Sequence, residues 1–382
     1  MMIIKASKFY ARIGLCAGIG TGLVVLLLLA AGPRFAAQDE ATHLRVNVVL
    51  VQLNVAVTDR KGNYVSGLRP EDFIVTEDKI PEKISTFEEG NGAVIGATQN
   101  HGVQNSIDPP DAEQPAQPAE AAQPAQPSMV MKSASGILSQ TTGANVFILF
   151  DTSNYMYRGF VFAQDAISDF VRSMDDASRI AFYSYSRDLS RATKLTPDRF
   201  SVVNGVRSTV AGDDAALYNS LLLTVKDAAP LTGRKAIVVF SNGPDNASSV
   251  PPEDVAELAQ DSGTIIYIVS TRMAQDDPVS AAAFERMSKA TGGKAYFAGN
   301  WRKEKQAFAS IRDDLGHLYS ISYYPQPNPN HGWRSISVRL ANPDMQKYHL
   351  RTRDGYRLLQ QSAINNETVA SVGSDGEQAD SR

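Results

Sequence analysis

Cysteine and histidine are scarce in this chain. Its 382 residues include one cysteine, Cys16, and five histidines. A single cysteine permits no disulfide within the chain and no cysteine zinc cluster. Because no two histidines have the His-x-x-x-His spacing, the sequence also argues against a histidine-rich metalloenzyme.

An excess of charge of one sign is missing as well. The chain has 37 basic and 41 acidic residues, a net charge of −4, so there is no electrostatic basis for nucleic-acid binding. Apolar residues make up 43% and charged residues 20% of the chain. These fractions are ordinary for a globular protein and exclude wholesale disorder.

The N-terminal segment has the pattern of an export sequence. Lys5, Lys8 and Arg12 precede an uncharged apolar run over residues 13–32, and about 20 apolar residues span a bilayer core of roughly 30 Å. Residues 1–37 are therefore either a cleaved signal peptide or an uncleaved membrane anchor, and the sequence leaves both open. Either one predicts an exported protein that is periplasmic, secreted or attached to the membrane by this segment.

The rest of the chain divides by composition. Short alternating runs up to residue 90 predict β strands, and an Ala/Gln/Pro tract that follows cannot bury enough apolar surface to fold. The predicted segments after the leader are a small β module (44–90), a disordered linker (91–140), an α/β domain (143–325), C-terminal β strands that we expect to pair with 44–90 (326–358) and a disordered tail (359–382).

Unbroken apolar runs alternate with helical patterns in the central region. Residues 146–150 and 236–240 are apolar throughout, and residues 264–269 are apolar after Thr264, as is typical of parallel strands covered on both faces. Segments with apolar residues at helical spacing lie between these runs. The fold class that this predicts is α/β, a doubly wound and mostly parallel sheet, with a small flanking β module.

The loop after the first buried strand is where we expect a site, because ligands of open α/β sheets lie at the carboxyl ends of the strands. It reads Asp151-Thr152-Ser153-Asn154-Tyr155. Residues 145–325 resemble the von Willebrand factor type A domain, whose corresponding loop is Asp-x-Ser-x-Ser. Flanking strings resemble a bacterial family of exported proteins with this domain: Val57-Thr58-Asp59, Gly67-Leu68, Asp72-Phe73, Tyr323-Tyr324-Pro325 and Gly355-Tyr356.

The resemblance implies a metal-ion-dependent adhesion site, in which oxygen ligands hold Mg²⁺ and a partner's carboxylate completes its shell. Asp151 and Ser153 match that motif, and Asn242 falls where the family has its second aspartate. Tyr155 and Ala215 depart from it at a serine and a threonine position. One carboxylate instead of two roughly halves the Coulomb attraction for a divalent ion, so the implied Mg²⁺ site is degenerate.

Nearby acidic residues have two interpretations. Asp213, Asp214 and Asp245 are either substitute cation ligands or solvated loop charges, and the second is the simpler prediction. Asp151 likewise has a structural alternative, since a carboxylate after a strand commonly accepts backbone N–H bonds in the next turn.

The leading hypothesis is an exported, non-catalytic, adhesion-type protein that binds an unidentified protein partner through its type A-like domain. A second hypothesis is a metal-assisted hydrolase using Asp151, Asp213 and Asp214, which needs these carboxylates within about 4 Å of a common point. A third is a purely structural, degenerate scaffold.

Overall fold

The computed structural model describes residues 50–90, 95–96, 143–174, 179–273 and 275–358. The predicted leader (1–37), the predicted tail (359–382) and nearly all of the predicted linker (91–140) lie outside the described residues. Within these ranges, no helix combines the length and the apolar character needed to cross a bilayer. The described residues belong to one compact unit that begins at Val48.

The chain forms strands and helices in alternation. The strands are β1 (Val51–Thr58), β2 (Phe73–Glu77), β3 (Ile80–Glu82), β4 (Ile84–Glu89), β5 (Ile95–Gly96), β6 (Asn145–Asp151), β7 (Arg179–Tyr185), β8 (Leu189–Thr196), β9 (Lys235–Phe240), β10 (Thr264–Ser270), β11 (Ala295–Phe297), β12 (Tyr319–Tyr323), β13 (Trp333–Leu340), β14 (His349–Arg351) and β15 (Gly355–Arg357). The α-helices are α1 (Phe160–Ser173), α2 (Arg199–Arg207), α3 (Leu217–Ala228), α4 (Pro252–Asp261), α5 (Pro278–Ala290) and α6 (Trp301–His317).

A six-stranded sheet forms the centre, in the order β11-β10-β9-β6-β7-β8. All neighbours pair in parallel except β8, which is antiparallel to β7 at one edge. Strands β6, β9 and β10 are buried along their whole length, which explains their unbroken apolar runs. The doubly wound, mostly parallel α/β fold predicted from sequence is confirmed.

Helices cover both faces of this sheet. On one face, α1, α2 and α6 bury apolar residues such as Ile167 and Phe308 against it. On the other, α3, α4 and α5 do so with residues such as Leu221 and Phe284. Because β6, β9, β10 and β11 are parallel, the helices that follow them begin at the edge where these strands end. We call this edge, with its loops and helix starts, the carboxyl edge.

Two antiparallel sheets form the flanking β module, in the orders β14-β1-β12-β4-β5 and β15-β13-β2-β3. Each combines strands from before and after the α/β unit: β1 pairs with β12 and β14, and β2 pairs with β13. Leu53, Phe87 and Tyr323 lie in the core between the sheets. The α/β unit is therefore an insertion within the β module.

The structure differs from the predicted segments at two places. Tyr319–Tyr323, predicted within the α/β domain (143–325), forms β12 and pairs with β1 and β4 of the module. Its side chains fill the module core, so the α/β unit ends with α6. The predicted linker contains strand β5, which pairs with β4.

Buried polar groups join the β module to the α/β unit. Asp314 of α6 is fully buried and accepts hydrogen bonds from the hydroxyls of Tyr64 and Tyr267, each at 2.7 Å. Arg351 of β14 forms an ion pair with the same carboxylate. These groups fix the module against the end of the sheet opposite the carboxyl edge.

Candidate functional site

The predicted site lies at the carboxyl edge, where β6, β7 and β9 end beside one another. Asp151 is the last residue of β6, and Ser153 precedes a short 3₁₀ helix over Asn154–Gly159. Tyr185 ends β7, and Ser241 directly follows β9. Because these strands are neighbours in the sheet, their last residues come within hydrogen-bonding distance.

Asp151 is fully buried and connects the three strand ends. Its Oδ1 accepts a hydrogen bond from the backbone N–H of Ser153 at 2.9 Å, which is the structural role predicted for it. Its Oδ2 accepts one from the hydroxyl of Ser241 at 2.8 Å. The Tyr185 hydroxyl in turn donates to Ser241 Oγ at 3.1 Å. Both carboxylate oxygens are thus engaged by protein donors.

Burial controls the ionisation of this group. Removal from water raises the pKa of Asp151, and hydrogen bonds from Ser153 and Ser241 oppose that shift. Burial also raises the pKa of Tyr185 well above its ordinary value, with the charge of Asp151 acting in the same direction. Tyr185 therefore remains a neutral hydrogen-bond donor at physiological pH.

Two buried oxygens near Asp151 have no hydrogen-bond partner. They are the hydroxyl oxygen of Ser153 and the Oδ1 of Asn242. The Asn242 amide donates instead to the main-chain carbonyl of Tyr155 at 2.7 Å. Tyr155 therefore contributes to the site through its backbone and not through its phenol.

The other two loops are held by backbone contacts. Ala215 is fully buried, and its N–H donates to the side-chain oxygen of Asn246 at 2.8 Å. Asp245 accepts from the N–H groups of Tyr218 at 3.0 Å and Ser248 at 2.8 Å. It therefore satisfies an N–H in the first turn of α3 and stabilises that helix start.

The remaining acidic candidates point away from a common centre. Asp213 is exposed and accepts a hydrogen bond from the Tyr157 hydroxyl at 2.9 Å. Asp214 forms an ion pair with Arg187 at 3.4 Å. Across the described ranges, no three acidic, histidine or cysteine side chains form a group able to hold a metal ion. The carboxylate cluster that the hydrolase hypothesis requires is therefore absent from the described residues.

The oxygen atoms available around Asp151 do not fit the ligand set that the implied Mg²⁺ needs. Ser153 and Asn242 offer neutral oxygens, Ala215 offers none, and the one carboxylate already accepts bonds from Ser153 and Ser241. A divalent ion needs oxygen ligands that are free to replace its water. The assignment of Asp151, Ser153 and Asn242 as ligands stays a prediction.

Sequence reasoning missed Ser241 and Tyr185 as members of this site. Ser241 stands beside Asn242 in the sequence, and the type A motif directed attention to the asparagine. Tyr185 follows an apolar strand and carries no motif. Its place at the end of a strand neighbouring β6 was the available signal.

Large apolar side chains are exposed around the site. Tyr157 lies in the 3₁₀ helix, Val210 in the loop after α2, and the others in the first turns of α1, α5 and α6. We call this set the apolar rim: Tyr157, Val161, Phe162, Val210, Val279 and Trp301.

No protein-family model and no curated protein matches the sequence. Among solved structures, the chain is similar to an aerotolerance-related membrane protein from Bacteroides fragilis with multiple mutations to serine, at 17% identity over 45% of this chain and 98% of that one, with a TM-score of 0.39. It is similar to the vWF domain of the type V pili tip protein Mfa5 from Porphyromonas gingivalis, at 12% identity over 49% and 98%, with a TM-score of 0.39. A von Willebrand factor type A structure from Catenulispora acidiphila matches at 12% identity over 56% and 66%, with a TM-score of 0.39.

Proposed function

We propose that this chain is an exported, non-catalytic interaction protein, which binds another protein through the loops and helix starts of its carboxyl edge. The apolar rim is the observation that carries this proposal. Phe162 is 67% and Val210 80% exposed, and burying such a side chain against a partner contributes about 1.5 to 3 kcal/mol. Apolar side chains gathered at one edge are typical of a docking surface.

The polar site behind the rim supports a binding role. A serine nucleophile needs a base that is free to take its proton, but Asp151, the carboxylate beside the Ser153 side chain, already accepts hydrogen bonds at both oxygens. Asp151 uses both oxygens to hold Ser153 and Ser241. These contacts fix the loops that present Tyr157 and Phe162.

We further propose that the interaction needs no metal ion. The carboxylate of Asp151 is already satisfied within the protein, and the rim offers apolar contact area that requires no cation. Aromatic side chains such as Trp301 are frequent anchors of protein interfaces. Binding should therefore depend on the rim and not on Mg²⁺.

Photo-crosslinking in the producing cells tests the location of the interface. The photoreactive residue p-benzoylphenylalanine replaces Phe162 or Trp301 on the rim. The control replaces Phe200, which is 74% exposed at the start of α2, near the opposite edge of the sheet. We expect the same discrete protein adduct from the two rim positions and none from position 200.

A second change tests whether the rim residues themselves make the contact. Trp301→Glu, combined with the photoreactive residue at position 162, should abolish the adduct while leaving the thermal unfolding midpoint unchanged. Equal adducts from position 200, or none from either rim position, would contradict the proposal. The second of these outcomes would favour a purely structural scaffold.

A further inference from the structure

A cleft of about 430 Å³ opens beside the Asp151 loop, between the β7–β8 hairpin and the end of α2. Its lining is dominated by hydroxyl groups and contains one carboxylate. We call it the hydroxyl cleft, and its polar side chains include Thr152, Ser186, Ser190, Ser208, Thr209 and Asp188. Val210 of the apolar rim is also part of its wall.

Three of the hydroxyls in this cleft already donate their protons to main-chain carbonyls. Thr152 Oγ1 donates to the carbonyl of Tyr185 at 2.8 Å. Ser208 Oγ and Thr209 Oγ1 both donate to the carbonyl of Gly205, each at 3.0 Å. A hydroxyl has one proton and two lone pairs, so these three groups offer a ligand only acceptor lone pairs.

The charges around the cleft favour a cation. Asp188 is exposed at its mouth, and no described side chain forms an ion pair with it. Ser208 caps the C-terminal end of α2, where the helix dipole is negative. Each neighbouring arginine has a carboxylate partner of its own: Arg187 pairs with Asp214 at 3.4 Å, and Arg207 pairs with Asp165 at 2.6 Å.

We infer that the hydroxyl cleft binds a guanidinium group, supplied by an arginine side chain of the protein that docks on the apolar rim. A guanidinium carries five N–H donors and no acceptor, which complements the acceptor lone pairs of Thr152, Ser208 and Thr209. It can also bind the Asp188 carboxylate with two parallel hydrogen bonds. Val210 contacts the methylene groups of the same side chain. This inference rests on the proposed function and adds the chemistry of the partner.

Amide chemical shifts of the isotope-labelled protein test the cleft without the partner. The probes are N-acetyl-arginine amide and N-acetyl-citrulline amide, which have nearly the same shape but differ in charge. We expect the arginine probe to shift the amide signals of residues 186–190 and 208–210. The citrulline probe should bind about tenfold more weakly, since hydrogen bonds to a charged group are roughly twice as strong.

Two matched variants identify the group responsible. Asp188→Asn keeps the shape of the cleft but removes its charge, and should weaken the arginine probe about tenfold. Asp344→Asn makes the same change at an exposed residue of the β module and should leave binding unchanged. Equal binding of the two probes, no shifts in the cleft, or unchanged binding by Asp188→Asn would overturn the inference.

One experiment distinguishes a failure of the arginine assignment from a failure of the proposed function. Asp188→Asn combined with the photoreactive residue at position 162 should reduce the yield of the partner adduct. An adduct that forms at full yield in this variant would leave the rim as the interface and overturn the arginine assignment. The absence of any adduct from the rim in the parent protein would overturn the proposed function instead.

Discussion

The carboxylate of Asp151 holds together three strand ends that are distant in sequence. It accepts hydrogen bonds from Ser153 and Ser241, and Tyr185 reaches it through Ser241. A buried carboxylate is costly unless its oxygens are satisfied, and here the protein supplies the donors. The residue therefore orders the loop that carries part of the apolar rim.

Truncation of Asp151 should be destabilising. Asp151→Ala leaves the Ser153 N–H and the Ser241 hydroxyl without an acceptor and should lower the free energy of unfolding by about 2 to 4 kcal/mol. Asp151→Asn keeps one acceptor and should cost about 1 kcal/mol. Urea unfolding at pH 7 measures both, and an alanine variant as stable as the parent would contradict this role.

The same measurement tests the predicted metal ligands. A cation that binds the folded state raises its stability, so a millimolar excess of Mg²⁺ should leave the unfolding midpoint of the parent unchanged. A stabilisation by Mg²⁺ that is lost in Asp151→Asn would show that Asp151, Ser153 and Asn242 hold the ion after all.

Asp261 gives the protein a defined pH dependence. Burial raises the pKa of this carboxyl to about 6 from 3.8, with Glu257 acting in the same direction and Arg353 and Arg357 opposing. The folded state therefore holds the proton more tightly than the unfolded state. The stability that this proton contributes is complete below pH 3.8 and is lost as the pH rises through 6.

Replacement of Asp261 by asparagine removes this loss of stability at higher pH. Asp261→Asn should be more stable than the parent above pH 7 and equally stable near pH 4. A shift of two pKa units corresponds to about 3 kcal/mol, and partial exposure of the side chain reduces the expected gain to about 1 to 2 kcal/mol. Urea unfolding at the two pH values measures it, and a gain that is independent of pH would disprove the assignment.

The residues of this site differ in how well the sequence alone predicts their roles. The backbone role of Asp151 is predictable because a carboxylate after a strand commonly accepts N–H bonds in the next turn, and its donor Ser153 is only two residues away. Ser241 and Tyr185 join it only because β6, β7 and β9 are neighbours in the sheet. The order of the strands sets such contacts, and no local pattern records it.

Among the structural elements, the β2–β3 hairpin has a strained turn. Asp78 and Lys79 adopt φ angles of 48° and 71°, a region that favours glycine. Asp78 compensates by accepting hydrogen bonds from Asn328, Asn330 and Ser335, and its pKa falls to about 2. Lys79 contributes no comparable contact among the described residues.

A glycine at position 79 should relieve this strain. Lys79→Gly keeps the left-handed conformation but removes its steric cost of about 1 to 2 kcal/mol. The greater freedom of glycine in the unfolded chain offsets part of this gain. The net gain should be about 0.5 to 1 kcal/mol in urea unfolding. Lys83→Gly, outside the left-handed region, is the control and should be destabilising, and an equal effect of both changes would refute the explanation.

Elements were predictable where burial dictated their composition. The strands β6, β9 and β10 have unbroken apolar centres because helices cover both of their faces. Strand β8 and helix α2 were not predicted. Strand β8 lies at the sheet edge, where half of its residues are exposed and the others are only partly buried, so its sequence shows no alternation of apolar and polar residues.

At the scale of the molecule, the α/β unit interrupts the β module between β5 and β12. Asp314, Tyr64, Tyr267 and Arg351 connect the two through buried hydrogen bonds and an ion pair. If one unit unfolded alone, it would remove one member of the buried ion pair and leave the other charge uncompensated. We therefore expect the two units to unfold together.

The two tryptophans allow a test of this cooperativity, since Trp301 lies in the α/β unit and Trp333 in the β module. Trp333→Phe and Trp301→Phe each leave one fluorescent reporter, and their urea transitions should coincide. Asp314→Asn should lower both midpoints equally, with a loss of about 3 to 5 kcal/mol. Separate transitions for the two reporters would show that the units are independent.

The most direct test of the account is the yield of the partner adduct from position 162 with and without metal. Cells or membranes are irradiated in EDTA and, in parallel, with excess Mg²⁺, for the parent and for Asp151→Asn. Within each protein, we expect the same adduct at the same yield in EDTA and in Mg²⁺, because the apolar rim makes the contact. An adduct that is lost in EDTA, restored by Mg²⁺ and absent from Asp151→Asn would contradict it and show that a metal ion held by Asp151 makes the contact.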